Sequence, residues 1–357
     1  MDKSTSISLI KELSEAPGVP GFEEEVVKII RKNGEGLGHW SEDAMRNLYL
    51  RRTGNEGKPV LMLDAHSDEV GFMVKAIRPN GCLDFITLGG WVASNVPAHR
   101  VLVRNMQGKW LPGIIASKPP HFISEAERKQ PPEISDMVID MGASSDREIR
   151  EDCQISIAAP VIPDVSFEYL EDRDLMIGKA FDDRLGCAAI ISVFRELSSS
   201  SLSVNMIGAF ASQEEVGLRG ATVSAQTVKP DIAIAFEGSP ADDTVVESYA
   251  VQTSLKKGPM LRHIDGMMIT NPRFQRFALE TGRREGIPVQ EAVRTGSATN
   301  GGVIHLEGKA VPVIVIGIPA RYIHTHYSFA SYADYENAVK LGCAVIRGLN
   351  EKLIGEF

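Results

Sequence analysis

The sequence contains few cysteines, and their spacing excludes the usual cysteine-based zinc sites and disulfide frameworks. Zinc ribbons need two closely spaced cysteine pairs, and small disulfide-rich domains carry a much denser set. Here 357 residues hold four cysteines, with no short-spaced pair among them. We therefore expect free and mostly buried thiols in a reducing cytoplasm. The four are Cys82, Cys153, Cys187 and Cys343.

An excess of positive charge is also lacking, and so are long apolar runs. Lys and Arg number 38 against 47 Asp and Glu, which gives a formal net charge of -9. This balance argues against nucleic acid or an anionic membrane as the main partner. No apolar run approaches the roughly 18 residues that a membrane-spanning helix needs. The N-terminus shows no basic start followed by an apolar core, so we expect no secretory signal and predict a cytoplasmic protein.

Hydrophobic patterning indicates an α/β domain with a second module inserted into it. Residues 74–162 lose helical periodicity and alternate short apolar runs with turn signals, which is typical of a small β-rich module. The flanking parts, residues 1–73 plus 163–357, alternate helical patterns with buried-strand patterns. The polar segment 124–134 is expected to form a loop. Helices are predicted over residues 5–16, 22–35, 274–286 and 334–353, and strands over residues 60–63, 204–210, 231–236 and 311–316.

The stretch at residues 204–221 combines a buried-strand pattern with two adjacent carboxylates and a glycine-rich turn. Open α/β sheets carry their sites at the carboxyl ends of strands, which is where Glu214 and Glu215 stand. Adjacent residues on an extended chain point in opposite directions. The two glutamates therefore suit different tasks, one binding a metal and the other handling a proton. The alternative is a solvated pair at the start of a helix, where carboxylates are favoured.

Four further segments repeat this context of a buried strand followed by His, Asp or Glu. Parallel strands bring such ends to one edge of a sheet, where two imidazoles and three or four carboxylates suit zinc or cobalt. These are too many acids for one tetrahedral ion, so we predict two ions with a bridging carboxylate, roughly 3.5–4 Å apart. The positions, taken with Glu214 and Glu215, are His66 and Asp68, Asp182 and Asp183, Glu237, and His324 and His326.

Single residues in this set have alternative interpretations. Asp68, two residues after His66, is placed to fix the tautomer of that imidazole. Asp183 could instead be a helix N-cap. His326 could share a face with His324 and is a second choice as ligand. The remaining histidines carry no metal spacing and are interpreted as structural or surface residues: His39, His99, His121, His263 and His305.

Four motifs, in order along nearly the whole chain, resemble metallopeptidase family 42, the tetrahedral dinuclear-metal aminopeptidases, some of which carry the name endoglucanase. They are AHSDEVG at 65–71, GKAFDDR at 178–184, EEVGLRGA at 214–221 and RYIH at 321–324. The resemblance implies a mixed-sheet zinc-aminopeptidase-like sandwich with helices on both faces. It also implies an inserted PDZ-like or barrel-shaped module that acts as lid and assembly domain, and dimers that build a tetrahedral dodecamer.

The resemblance also implies a role for each site residue. The centre would hold two divalent ions per subunit, zinc or cobalt, with manganese as a further option. The peptide bond between the two adjacent aspartates would be cis. By position, His66 and Glu237 bind the first metal, Asp182 bridges, Glu215 and His324 bind the second metal, Asp68 orients His66, and Glu214 is the general base.

Two departures from the family pattern concern the substrate loop and the last ligand. Family members usually read Gly-Thr-Asp-Ala-Gly where this chain reads ATNGG at 298–302, so Asn300 replaces an acid. The last metal ligand is usually followed by Ser-Pro, where this chain has Thr325 and His326. A preference for N-terminal glutamate would want a basic residue in the pocket. The candidates for that residue are Arg262, Arg294 and Arg321.

The predicted reaction is hydrolysis of the N-terminal peptide bond of short peptides. Two metals would activate a bridging water, and Glu214 would take its proton and pass it to the leaving amine. The alternatives are deacylation of N-acyl amino acids on the same metal centre, or a catalytically degenerate assembly protein. Glycan hydrolysis by two carboxylates is a third possibility, and it predicts activity that survives chelation.

Overall fold

The computed structural model describes residues 2–125 and 129–357. A mixed 11-stranded sheet forms the centre, and its main path runs β1-β2-β12-β3-β13-β16-β17-β11-β10, with β14 and β15 attached through β16. The strands are β1 His39–Glu42, β2 Leu48–Arg51, β3 Val60–His66, β10 Glu168–Leu170, β11 Leu175–Gly178, β12 Asn205–Ala211, β13 Ile232–Pro240, β14 Met260–Ile264, β15 Gln290–Val293, β16 Val313–Arg321 and β17 Ser328–Ser331.

The four central strands β12, β3, β13 and β16 are parallel to their neighbours in this order. Every residue of β12 is buried, as expected for a strand covered on both faces. Three strands, β3, β13 and β16, run three or more residues past their predicted ends, and the first two carry site residues beyond those ends. Pairing with Ala211 carries β3 to His66, and pairing with β16 carries β13 past Glu237. These two side chains therefore project from strands, whose backbone hydrogen bonds fix their positions.

Helices cover both faces of the sheet, which confirms the predicted α/β architecture. The larger apolar cluster joins one face to α1, α2, α3, α5 and α7, and a smaller one joins the other face to α4 and α6. Among the described residues, no helix is both long and apolar enough to cross a membrane. The helices are α1 Lys3–Glu15, α2 Glu24–Asn33, α3 Phe181–Glu196, α4 Arg219–Val228, α5 Pro272–Arg284, α6 Gly301–Ile304, α7 Tyr332–Gly348 and α8 Glu351–Ile354.

The prediction of one continuous helix over residues 334–353 was wrong. Leu349 has an extended backbone, and the Asn350 side chain accepts a hydrogen bond from the backbone N–H of Leu353 at 3.0 Å. Asparagine is a favoured N-cap residue because its side chain satisfies a free N–H of the first turn. The segment therefore forms two helices, α7 and α8.

The inserted β-rich module is a closed barrel with the strand order β4-β5-β8-β7-β6-β9. Its apolar core is separate from those of the sheet and includes Phe72, Val101 and Ile115. The division of the chain at residues 74 and 162 stays a prediction. The expected loop at 124–134 includes residues 126–128, which lie outside the described residues. The barrel strands are β4 Gly71–Ile77, β5 Leu83–Leu88, β6 Arg100–Arg104, β7 Trp110–Ala116, β8 Val138–Asp140 and β9 Pro160–Pro163.

Candidate metal centre

The parallel strands bring most of the predicted site residues to one edge of the sheet. Three groups there each offer three ligand atoms that lie within 4.8 Å of one another; one consists of His66, Glu214 and Glu215, and the other two contain Asp182. Since these two share this aspartate, two cations could sit side by side with one carboxylate between them. The first group of the two is His66, Asp182 and Glu237, and the second is Asp182, Glu215 and His324.

The first group is built entirely from the α/β domain. His66 ends β3, is almost fully buried, and places Nε2 3.0 Å from Asp182 Oδ1. Its Nδ1 lies 3.2 Å from the backbone carbonyl oxygen of Asp68 and 3.5 Å from Oδ1 of the same residue. A carbonyl can only accept, so Nδ1 carries a proton, and Nε2 is the ring nitrogen that faces Asp182. Of the two Asp68 oxygens near Nδ1, the backbone carbonyl oxygen is thus closer than the carboxylate oxygen.

The Asp68 carboxylate has a second set of contacts, which concerns the two glutamates. Its Oδ1 accepts a hydrogen bond from the backbone N–H of Glu214 at 2.9 Å, and its Oδ2 accepts one from Glu215 at 3.1 Å. Buried Glu23 accepts another from the preceding residue, Gln213, at 3.2 Å. Two buried acids therefore hold three successive N–H groups of the turn after β12.

Glu23 is a residue that the sequence reasoning missed. Its segment reads as an ordinary acidic helix start, and only the fold brings it to the turn that carries Glu214. Burial, followed by the nearby Asp68 carboxylate, raises the pKa of Glu23 to about 7. No local pattern in the sequence could have indicated this contact.

The second group depends on the barrel. Nε2 of His324 lies 3.3 Å from Asp182 Oδ2 and 3.6 Å from Glu215 Oε1. Its Nδ1 lies 2.8 Å from the carbonyl oxygen of Gly90, in the barrel loop between β5 and β6. The preceding Gly89 packs on Glu215, since a Cβ there would lie 2.9 Å from Glu215 Oε2. The barrel therefore fixes the ring of His324, as the Asp68 carbonyl fixes that of His66.

Asp183 supports the site without contributing a ligand atom to either group. The peptide bond between Asp182 and Asp183 is cis. The Asp183 carboxylate accepts hydrogen bonds from the backbone N–H groups of Gly186, at 2.9 Å, and His66, at 3.2 Å. It therefore ties the first turn of α3 to the end of β3, and the first of these bonds resembles the N-cap contact considered above.

The charges in the centre are crowded in a way that suits cations. Burial raises the pKa of Glu214 to about 7 and raises the pKa values of Glu215 and Glu237 well above their usual range. For Asp182, burial raises the pKa, but hydrogen bonds from His324 and His66 outweigh it and hold the pKa below its usual value.

One acceptor in the centre is left without a partner. Glu215 Oε1 is buried and has no hydrogen-bond partner among the described residues. Buried polar atoms usually have partners, and an unpaired one in a group of acids is a place for an ion. The donor set of imidazoles and carboxylates fits divalent cations of borderline character.

A cavity of about 370 Å³ opens beside the two groups. Its wall includes Leu218, Met267 and Ala298, and Arg262 contributes a basic group to it. The other two arginine candidates are held elsewhere by acids: Arg294 pairs with Asp242 at 2.8 Å, and Arg321 pairs with Asp243 at 2.7 Å. Arg262 is therefore the candidate that lines the cavity.

Asn300, which replaces the usual acid of the loop, is buried behind the cavity wall. It lies near Asp64 on β3, although neither side chain makes a hydrogen bond of ordinary geometry within the part of the chain that the structure describes. Burial raises the pKa of Asp64 to about 7, and the Asn300 amide and His66 partly oppose that rise. This departure therefore lies next to the strand that carries His66.

His326, considered as a second-choice ligand, belongs to neither group. Its ring is buried against the barrel and stacks on His99, with ring centroids 3.9 Å apart and planes 14° apart. Burial, and then His99, lower the pKa of His326 to about 3. No sequence pattern indicated that His99 and His326 would meet, because they belong to different modules.

A comparison with family models shows to which family the chain belongs. A family model described as M42 glutamyl aminopeptidase matches residues 46–341. The chain belongs to the M42 family. The M42 enzymes are hydrolases that act on peptide N-termini, which confirms the family resemblance noted in the sequence.

Individual relatives match over nearly the full length of the chain. The glutamyl aminopeptidase of Lactococcus lactis is 32% identical over 351 residues, which covers 98% of each chain. The crystal structure of a TET aminopeptidase from Thaumarchaeota archaeon SCGC AB-539-E09 superposes with a TM-score of 0.95 at 35% identity, covering 99% of each chain. The TET1 peptidase of Pyrococcus horikoshii, described as assembling into a tetrahedron or a large octahedral shell, superposes with a TM-score of 0.86 at 27% identity, covering 96% of this chain and 100% of that one.

Proposed function

We propose that this M42 protein is a metal-dependent aminopeptidase that removes N-terminal residues from short peptides, using two divalent cations. The observation that carries the proposal is the pair of three-residue groups that share Asp182. The residues proposed to hold the first cation are His66, Asp182 and Glu237, and those for the second are Asp182, Glu215 and His324. Zinc or cobalt suits these donors best, and manganese is a further option.

Bound in this way, two cations would lower the pKa of a water between them and polarise the scissile carbonyl. The chain supplies the proton transfer through Glu214, whose Oε2 lies 3.8 Å from His66 Nε2. Without cations, burial raises the pKa of Glu214 to about 7; two cations beside it would lower that pKa and keep the carboxylate ready to accept a proton. Glu214 takes the water proton and delivers it to the leaving amine.

Asp68 acts as a positioning residue in this proposal. Its carbonyl holds the ring of His66, and its carboxylate holds the backbone of Glu214 and Glu215. The base and one ligand of each cation are therefore fixed by a single buried residue. A free substrate amino group fits beside Glu237 in the first group, which favours cleavage at the N-terminus over cleavage within a chain.

We further propose that the cavity accepts an acidic N-terminal side chain. Arg262 is buried and pairs with Asp265 at 3.2 Å through Nη1, while its Nε has no partner among the described residues. A guanidinium with spare donors recognises a carboxylate well. The family description and the Lactococcus lactis relative, both named for glutamyl aminopeptidase activity, support this choice.

The test is a panel of aminoacyl chromogenic substrates given to the metal-free protein, with zinc, cobalt or manganese added back one at a time. We expect activity only after a metal returns, on free but not N-acetylated substrates, with glutamyl above leucyl and lysyl. Activity on N-acetylated amino acids alone would favour the deacylase, and no hydrolysis with any metal would favour a degenerate assembly protein. Nothing observed so far supports either alternative.

We also propose that the chain forms a homo-oligomer of dimers, up to a tetrahedral dodecamer, with the barrel as lid and assembly module. The superposition with the Pyrococcus horikoshii peptidase supports a self-assembling form. Light scattering coupled to size-exclusion chromatography measures the mass directly. A monomer of 38.9 kDa at micromolar concentration would contradict this part of the proposal.

A further inference from the structure

The barrel contacts the loop after β16 at two residues, His324 and His326. Beyond the Gly90 carbonyl, a second contact lies two residues further along the loop, at His326. Tyr322 and His324 have backbone φ angles of 62° and 58°, so this loop adopts a conformation that non-glycine residues rarely take. A loop of this kind needs outside contacts to stay in one geometry.

The second contact is a stack of rings contributed by both modules. The His326 ring lies on His99, which directly precedes β6, with ring centroids 3.9 Å apart. The ring centroid of Trp91 lies 5.1 Å from that of His326, and the ring centroid of Phe72, on β4, lies 6.3 Å from it. All three neighbouring rings belong to the barrel, whereas His326 belongs to the α/β domain.

His326 acts in this stack through the face of its ring. It is almost fully buried, and neither of its nitrogens has a hydrogen-bond partner within the described residues. The contacts that remain are those of a flat ring packed between other rings.

We propose that the stack of His99 and His326 is a positioning element, which fixes the loop of His324 so that the second cation binds tightly only when the barrel is docked. The inference rests on the proposed function, because it assumes that His324 is a ligand of that cation. With the stack in place, the barrel holds the loop at two points, His324 through the Gly90 carbonyl and His326 through His99. Without it, His324 keeps the Gly90 contact from the barrel, and the loop keeps the hydrogen bonds that Thr325 and Ser328 donate to the Tyr322 carbonyl.

Metal binding by the apo protein tests this directly, by calorimetry with zinc against a competing chelator. In His326→Ala and in His99→Ala, we expect the second binding step to weaken by about 10- to 100-fold, as found when outer partners of metal ligands are removed. The first step, which uses His66, should not change. The double variant should bind no more weakly than either single variant, because both remove the same stack.

Two further variants separate positioning from general loss of structure. His326→Phe keeps a flat ring and removes both nitrogens, so the second binding step should stay within about twofold of the unmodified protein. His39→Ala, on the exposed edge strand β1, is the matched histidine control and should change neither step. Circular dichroism of each variant checks the fold.

The outcomes distinguish the inference from the proposed function. If the unmodified protein binds two zinc ions and the alanine variants bind the second equally tightly, the positioning role is wrong and the aminopeptidase proposal stands. If His326→Phe is as weak as His326→Ala, a ring nitrogen matters and the stack is not the explanation. If the unmodified protein binds fewer than two ions, the dinuclear proposal and this inference fail together.

Discussion

The candidate metal centre has two halves, the first group with His66 and the second group with His324, and the protein holds them in different ways. In the first half, His66 is 1% exposed, ends a central strand, and has its ring fixed by a carbonyl two residues further along the same chain segment. In the second half, His324 is 35% exposed, follows a strand in an irregular loop, and has its ring fixed by Gly90 of the barrel. The first half is built within one module, and the second half requires contact between two.

This difference predicts how the two halves respond to change. The position of His66 is set by its pairing with Ala211 of β12 and by the hydrogen bond that its backbone N–H donates to Asp183. Such pairing is lost only when the sheet itself unfolds. A loop residue held by another module is lost when that contact is lost. The second half should therefore be the weaker one, and it is the half through which the barrel can influence the centre.

The largest expected effect comes from removing the proposed base, which serves both halves. Glu214→Gln keeps the size and the backbone contacts to Asp68 but cannot take a proton. We expect kcat to fall by about 10²- to 10⁴-fold, the usual contribution of general acid-base catalysis. Metal content, measured by atomic emission, should stay at two ions per chain. Retained turnover would show that another group moves the proton.

A direct test of the difference between the two halves adds a methyl group at Gly89, where the barrel packs on Glu215. In Gly89→Ala the new Cβ would lie 2.6 Å from Val70 Cγ1 and 2.9 Å from Glu215 Oε2, and the φ of 82° adds backbone strain. We expect the second zinc to bind about 10- to 100-fold more weakly while the first is unchanged. Gly54→Ala, with a φ of 84° and open space around it, is the matched control for the strain. Equal weakening of both steps would contradict the two-half description.

The next prediction concerns Arg262 in the cavity that both halves border, and it tests recognition of an acidic substrate. Arg262→Met removes the guanidinium and keeps much of the volume. We expect kcat/KM on a glutamyl substrate to fall by about 10- to 100-fold, as for loss of a charged hydrogen bond. A leucyl substrate serves as the internal control and should change little. If both substrates lose equally, Arg262 supports the pocket without reading the side chain.

The sequence allowed prediction of the first half more fully than of the second. His66, Glu214 and Glu237 follow apolar strand patterns, and parallel strands bring such ends together. Their exact placement in the strands was not predictable. Strands β3 and β13 extend past their apolar patterns because they pair with β12 and β16, and no local sequence pattern indicates that pairing. The α/β architecture with an inserted β-rich module followed from the change of periodicity near residue 74.

The contacts between modules could not be predicted in this way. Gly90 contributes a carbonyl oxygen, which every residue possesses, so no residue type marks it. The stack of His99 on His326 joins positions more than 200 residues apart in the chain. From the sequence, His99 was interpreted as a structural or surface residue and His326 as a second-choice metal ligand, because the sequence does not show how a barrel docks on a sheet. The family motifs gave His324 its assigned role but not the contacts that orient it.

The smallest expected effect comes from changing Asn300, which lies near Asp64 on the strand of the first half. Asn300→Asp restores the acid usual in this family but places it near the fully buried Asp64 carboxyl. Two buried acids cannot both ionise, so we expect the free energy of unfolding in urea to fall by about 1–3 kcal/mol. Adding Asp64→Asn exchanges the acid and the amide and should recover most of that loss. If the exchange recovers nothing, the two side chains do not depend on each other, and the strand that carries His66 tolerates change independently of the substrate loop.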